Sequence, residues 1–494
     1  MQISKYWPEK MDFREDAEIF FCQRRPLSDF HAKLYLLVGL KLTQRGVPVS
    51  YMFHDPLLAQ IAPYASDKGF PIRGALFEQR PKIITSRIIT TDGLEHRVDL
   101  ESGVAFIENI NFFPEILSGM RSLQKRYNID FTDKKTLVTA KDLLSSSTII
   151  YSYFKLLEVY AVKAKKKVFI CGWESTYPPG AVFKKLCDQA YSYSDHIQYI
   201  DLNRGYMHYF HDFPVNSNFI AFANLTRTGF TSRLAIPGSA LDEIIDPESA
   251  LAYGKKYMVS ALSKHTNHPD SPEKQNSLAL IHNFKQKGQR VFVLFSHLFY
   301  DTPVNDKSPT FRDMCEWIIK TVKWFSATDD LLLLKPHPAE LESRTNPTET
   351  LRAFVAEYIT STNIHLLHPN EFSIRELADH LSGGLIWRSS VAMELTFLNI
   401  SCVIAGNPRY WILPLNYASS PEDYFEKIRA IGKTKVSQKQ INATLKYLFC
   451  LRNKHHEIPQ IVKDDWVFPR LKTTLEGVDE SFEQMIGQMI AECF

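Results

Sequence analysis

The sequence predicts an α/β protein built from two Rossmann-like, doubly wound domains facing a cleft. Three observations carry that expectation. Between residues 290 and 406, five apolar runs alternate with helical patterns, as a parallel sheet with helices on both faces requires. Near the N-terminus a β-loop-α-β pattern spans 18–53, and a second β-loop-α unit follows at 168–191. The 494 residues are 45% hydrophobic and 13% aromatic, enough apolar material for more than one core. The expected division is 1–260, an interdomain segment 261–284, 285–425, and closing helices over 426–494 able to cross back to the first domain.

In the first half, EIFFC (18–22) reads as a strand, Asp29–Gln44 as an amphipathic helix and VPVSYMF (47–53) as the next strand. A right-handed parallel crossover puts the loop Arg24–His31 at the carboxyl end of the first strand, where open α/β sheets bind ligands. Asp29 and His31 are therefore expected acceptor-side contacts. Ile83–Ile89 reads as a strand, whereas 100–145 has no clear period. A helix over 150–163 ends in the run Lys165–Lys167, a solvated helix end whose cations favour the macrodipole and could also attract phosphate or acidic lipid. VFICG is a strand, WESTYPPG the loop after it, 181–191 a helix, and IQYI and NFIAFAN further strands. The polar, Pro- and Ser-rich stretch 246–278 has the composition of an interdomain joint.

The second half reads as RVFVLF (290–295), helix 309–325 with apolar spacing at Phe311, Met314, Ile318 and Val322, then LLLLK (331–335), helix 349–359 and IHLL. A short helix follows, opened by a Ser373/Glu376 capping box. GGLIW, helix 391–398 and SCVIAG complete the alternation.

Composition narrows the function classes. A net charge of +3 is too weak for a nucleic-acid binder, which concentrates basic charge on one face. The seven cysteines show no C-x-x-C spacing, so neither a zinc site nor a disulfide framework is expected, and a reducing cytoplasm fits. The N-terminus lacks a signal-peptide apolar core, and no run approaches the roughly 20 residues of a membrane span. A soluble chain, peripheral to a membrane at most, is expected.

Distinctive residues collect at strand carboxyl ends in the second half: Ser296-His297 in SHLFYDT, Lys335-Pro336-His337-Pro338 after LLLL, and Trp387-Arg388-Ser389-Ser390 after GGLI. His337, stiffened by flanking prolines beside Lys335, suits a phosphate or nucleotide leaving group. Ser389 and Ser390 open a helix, as a simple N-cap or as an anion site. Glu394, on that helix, could accept hydrogen bonds from two ribose hydroxyls. Arg388 and Arg409 are cationic candidates at the same edge.

The KPHP run, the Ser389-Ser390 pair about fifty residues later, Glu394 and CVIAGNPRYW (402–411) together resemble the C-terminal domain of bacterial capsule and surface-polysaccharide glycosyltransferases with the GT-B fold. These are of the Kdo-transferase type and, more distantly, the sialyl- and polysialyltransferases. The resemblance covers about 285–415. It implies that His337, Pro338, Ser389 and Ser390 bind the nucleotide and phosphate of a CMP-sugar such as CMP-Kdo, with Lys335 and Glu394 following, and that a growing glycan or glycolipid is the acceptor. It further implies a cytoplasmic enzyme, in peripheral contact with the inner membrane face or a capsule assembly complex, with no cofactor beyond its nucleotide-sugar substrate. No metal is expected, since no Asp-x-Asp stands at a strand end.

The sialyltransferase relatives carry an acidic pair followed by glycine as general base, and no such tripeptide lies at a strand end here. Glu174, after VFIC, and Asp201, after IQYI, are the competing choices. Two other readings stay open. One is a CDP-glycerol-type glycerophosphotransferase, although Trp387-Arg388 stands where those proteins usually show Asp-Tyr. The other is a non-catalytic component of a capsule assembly complex.

Overall fold

A computed structural model describes residues 17–23, parts of 34–53, 89–91, 94–172, 175–204, 219–228, 234–263, 270–301, 308–342, 347–432, 435–457 and 480–493. Asp29, His31, Glu174 and most of the expected strand Ile83–Ile89 lie outside the described residues.

The first sheet contains β1 (Ala17–Gln23), β2 (Val49–Phe53), β7 (Lys167–Gly172), β8 (Ile197–Arg204), β9 (Phe219–Asn224) and β15 (His456–Glu457). Their order is β15-β9-β8-β7-β1-β2. The pairs β2–β1, β1–β7 and β7–β8 are parallel, while β9 and β15 are antiparallel additions at one edge. Alternate residues of β7 and β8 face opposite sides. Val168, Ile170, Ile197 and Tyr199 join a core with α1 (Phe113–Gln124), α2 (Lys134–Ala164) and α3 (Gly180–Tyr191). On the crossover between β1 and β2, Tyr35 donates its hydroxyl to the Leu202 carbonyl at 3.2 Å.

A four-stranded antiparallel sheet, β3 (Ile89–Thr91), β4 (Leu94–Asp99), β5 (Val104–Ile107) and β6 (Ile110–Asn111), runs into the region without a sequence period, where β5 and β6 are followed by α1 and the start of the 31-residue α2. Strands of two to six residues are too short to show a period of two against the helices that flank them.

The second sheet is wholly parallel: β10 (Val291–Phe295), β11 (Leu331–Lys335), β12 (Ile364–Leu366), β13 (Gly383–Ile386) and β14 (Cys402–Ile404), in the order β12-β11-β10-β13-β14. Numbered from its own first strand this is 3-2-1-4-5, the Rossmann order, and its switch point falls between β10 and β13. Val291, Val293 and Phe295 pack on one side, Phe292 and Leu294 on the other, so both faces are covered and the strands read as unbroken apolar runs. Trp387 belongs to this core, its ring 5.8 Å from that of Trp317.

The polar stretch 246–278 is largely helical rather than loop. Helices α4 (Pro247–Ser263) and α5 (Pro272–Gln286) occupy most of it. Pro247 and Pro272 stand at their first positions, where a missing N–H costs nothing. Ser271 caps α5 through the Lys274 N–H. Around the second sheet run α6 (Met314–Phe325), α7 (Leu351–Val355), α8 (Ile374–Ala378), α9 (Val391–Phe397), α10 (Pro421–Ala430) and α11 (Gln438–Asn453). The Ser373/Glu376 box opens α8 with both of its hydrogen bonds. Helix α4 crosses α11 at Gly254, where a Cβ would lie 2.3 Å from the Leu445 carbonyl oxygen.

The chain then returns to the first sheet. β15 pairs with β9, and Glu483 on α12 (Glu480–Cys493) binds Lys41 at 2.7 Å and Arg45 at 2.5 Å. The two halves also touch directly. Glu349 accepts the backbone N–H groups of Tyr127 and Asn128, Tyr127 donates its hydroxyl to Asp313, and Tyr177 in the loop after β7 reaches Asp301 after β10. Two Rossmann-like sheets thus meet through loops at their carboxyl edges, a GT-B-like layout.

Candidate functional site

The residues gathered at the second sheet's carboxyl edge come from four different strands. Ser296 and His297 follow β10. Ser296 is buried, and its backbone N–H and Oγ both donate to the Lys335 carbonyl, at 3.1 and 3.4 Å. This ties the ends of β10 and β11 together and so fixes His297 relative to His337. The two imidazoles lie 6.5 Å apart, inclined by 21°.

His337 caps the 3-10 turn Pro338–Leu341, its Nδ1 accepting the Ala339 N–H at 3.1 Å. A nitrogen that accepts is unprotonated, so in the neutral ring the proton resides on Nε2. Burial lowers the pKa of His337, against the raising influence of Asp301 and Glu342. His337 is therefore a neutral imidazole with Nε2–H as its donor. For His297, burial first, then His337, Arg388 and Arg409, pull the pKa down to about 3. Its Nε2 is buried without a hydrogen-bond partner among the described residues, an orphan that a polar ligand atom would satisfy.

Arg388 follows β13, directly across the switch point from His297. Its pKa falls to about 10 through burial and the neighbouring Arg409, with Tyr410 and Asp301 opposing. Arg409 is held by its loop. Tyr410 is buried and donates to the Ser389 carbonyl at 2.6 Å, while the Gly406 N–H bonds the Trp387 carbonyl at 2.9 Å. A Cβ at Gly406 would lie 2.4 Å from that carbonyl oxygen and 2.8 Å from Arg388 Cγ, so this approach requires glycine. Two guanidinium groups kept near each other repel, and an anion between them removes the repulsion.

Other expected residues are placed differently. Lys335 is buried and its ammonium donates to the Pro369 carbonyl. Burial draws its pKa down to about 8 against Glu371 and Glu376, so its charge braces the loop after β12. Pro338 opens the turn that His337 caps. Ser390 occupies the cap position of α9 without a side-chain cap bond, whereas Ser389 Oγ accepts the Val391 N–H at 3.3 Å. Glu394 is half-buried, and burial raises its pKa to about 7. Asp201 is not past the end of its strand. β8 continues to Arg204 because β9 pairs with it from Ile200 onward, leaving Asp201 fully buried within it, opposite Gly172 of β7, with Ser175 Oγ donating to Oδ2 at 3.2 Å.

The sequence reading overlooked Asp301. It lies within electrostatic reach of both His337 and Arg388 and accepts from Tyr177 across the halves at 3.4 Å. Its signal was its place in SHLFYDT, just beyond a strand end. Among the described residues no group of three or more His, Cys, Asp or Glu is arranged to hold a metal ion.

No protein-family profile and no curated protein matches the sequence. Solved structures similar to this chain include the beta Kdo 2,7 transferase and beta Kdo 2,4 transferase structures of Thermosulfurimonas dismutans KpsC. The first is 12% identical over 68% of this chain and 89% of that one, with a TM-score of 0.31. The second is 13% identical over 66% and 87%, at 0.33. An α,α-trehalose-phosphate synthase (UDP-forming) from Burkholderia vietnamiensis is 9% identical over 89% and 96%, at 0.30. The α/β, Rossmann-like class of the chain rests on the strand orders above.

Proposed function

We propose that the chain is a glycosyltransferase that takes a sugar from a nucleotide-sugar, with a CMP-sugar such as CMP-Kdo as the favoured donor, and adds it to a growing capsule or surface glycan. One observation carries this reading: His297, His337, Arg388 and Arg409 come from the ends of β10, β11, β13 and β14 to one place about the switch point. A nucleotide's phosphate is the ligand class that this charge and this location suit. The KPHP and Ser-Ser resemblance supports the same reading and favours cytidine.

In this proposal residues 285–425 hold the donor and 1–260 the acceptor. The protein works in the cytoplasm, against the inner membrane face. Arg388 and Arg409 bind the phosphate, and His337 donates Nε2–H to the phosphate oxygen that gains charge as the bond to the sugar breaks. Glu394 accepts from ribose hydroxyls, and Ser390 adds a hydroxyl at the phosphate. Glu174 takes the acceptor hydroxyl's proton, because Asp201 is sealed within β8.

Titrating the purified chain with CMP, CDP, UDP and GDP by thermal shift tests the reading, since a ligand that binds only the folded state raises the melting temperature. CMP is expected to stabilise most. A crystal soak should place it against His337 and Arg388. Binding on the first sheet would overturn the assignment, and no stabilisation by any nucleotide would favour a non-catalytic role.

A further inference from the structure

Helix α2 lays its buried face on the first sheet and leaves an apolar stripe uncovered near its end. Leu156, Val159 and Val162 recur every three residues on one face and are 55%, 50% and 62% exposed, while Phe154, Leu157 and Ala161 are buried. Tyr193, 68% exposed, joins them from the turn after α3 through a 2.6 Å bond from its hydroxyl to Glu158. Lys155 takes the other Glu158 oxygen at 2.7 Å, so the carboxylate within this patch is already neutralised.

The rim is basic. Lys163 and Lys165 are exposed and have no ion-pair partner among the described residues. Lys166 lies 4.0 Å from Glu18, and Lys167 lies 2.9 Å from Asp195. Five lysines (155, 163, 165, 166, 167) thus stand against three carboxylates (Glu18, Glu158, Asp195), and the surplus belongs to Lys163 and Lys165. Lys165, in the left-handed conformation at φ 53°, turns the chain into β7. The patch therefore lies by the amino ends of the strands, the edge opposite the loops that carry Ser175 and Tyr177.

We propose that this end of α2 docks the protein on an anionic phospholipid bilayer. Leu156, Val159 and Val162 enter the boundary between headgroups and acyl chains, the Tyr193 ring lies at the same depth, and Lys163 and Lys165 extend their ammonium groups to lipid phosphates. Among the described residues no helix is long and apolar enough to cross a membrane, so the attachment is peripheral. A second copy of the chain suits the patch poorly, because a two-fold pairing would set these lysines near their own copies. Docking by this edge leaves the opposite edge, with its cleft, open to a soluble donor. The inference does not depend on what the cleft binds.

Cosedimentation of the full chain with phosphatidylcholine vesicles, with and without phosphatidylglycerol, tests it. Binding is expected only to the anionic vesicles and should weaken as salt is added. Lys163→Glu/Lys165→Glu should lower affinity at least fivefold for each lysine removed, about the worth of one surface lysine near an anionic leaflet. Leu156→Ser/Val159→Ser/Val162→Ser should lower vesicle binding while leaving the melting temperature and its response to CMP unchanged. Failure of the native chain to bind anionic vesicles, or equal binding by native chain and both variants, overturns the proposal. So does a native dimer without vesicle affinity that the triple variant dissociates, which would assign the patch to a second copy.

Discussion

Replacing His337 by asparagine and by alanine separates two tasks of one side chain. Nδ1 caps the turn Pro338–Leu341 by accepting the Ala339 N–H at 3.1 Å, which leaves Nε2–H for the ligand. Asparagine's side-chain oxygen is among the best N-cap acceptors, and alanine supplies none, at a typical cost of ~1 kcal/mol. Neither replacement reproduces an N–H at the distance of Nε2. Loss of one preorganised donor to developing charge lowers turnover by about 10²–10³, or about 2.7–4 kcal/mol. Both variants should therefore lose that much turnover at saturating donor, while alanine alone also lowers the melting midpoint. Initial rates with CMP-sugar, read beside melting curves for the three proteins, make the comparison. An asparagine variant within about threefold of native turnover would refute the donor role of Nε2. Equal destabilisation of both variants would refute the cap.

His297, with its pKa drawn down to about 3, should make stability depend on pH. The unfolded ring binds its proton below about 6.5 while the folded ring does not, so stability is full above that pH and falls by up to about 1.4 kcal/mol per unit on the way down to 3. Melting midpoints measured from pH 7 to 4 should fall less steeply for His297→Gln, and parallel curves would contradict the assignment. Gly406→Ala puts a Cβ 2.4 Å from the Trp387 carbonyl oxygen; overpacking of this kind costs roughly 1–3 kcal/mol. That variant should melt earlier and bind CMP more weakly than a variant with an equal loss of stability far from Arg388, and native binding would disconnect the loop from the site. Glu174→Gln should cut turnover severely with normal CMP binding and abolish the acidic limb of the rate profile. Asp201→Asn should act mainly on the melting midpoint, because this carboxylate is buried against Ser175, and the reverse pattern would transfer the role of base to Asp201.

Much of the second half was legible in the sequence because its evidence is local. Alternation of short apolar runs with helical spacing announces strands that pack on both faces, as Phe292 and Leu294 do against Val291 and Val293. A strand's carboxyl end is known once the strand is known, which is why SHLF, KPHP and WRSS could be picked out. Strand order is another matter. β10 pairs with β13, Phe292 opposite Gly383, across about ninety residues of chain, and no local pattern states that His297 and Arg388 will share a switch point. Burial and partners are likewise properties of the assembled protein. Lys335 looked like a phosphate ligand until the loop after β12 brought the Pro369 carbonyl to its ammonium, and Asp201 looked like a strand-end base until β9 paired with β8 beyond it. Residue spacing fixes which way a side chain leaves its own element, whereas the ligand or carbonyl that it meets is supplied by elements distant in sequence, which only tertiary packing brings near.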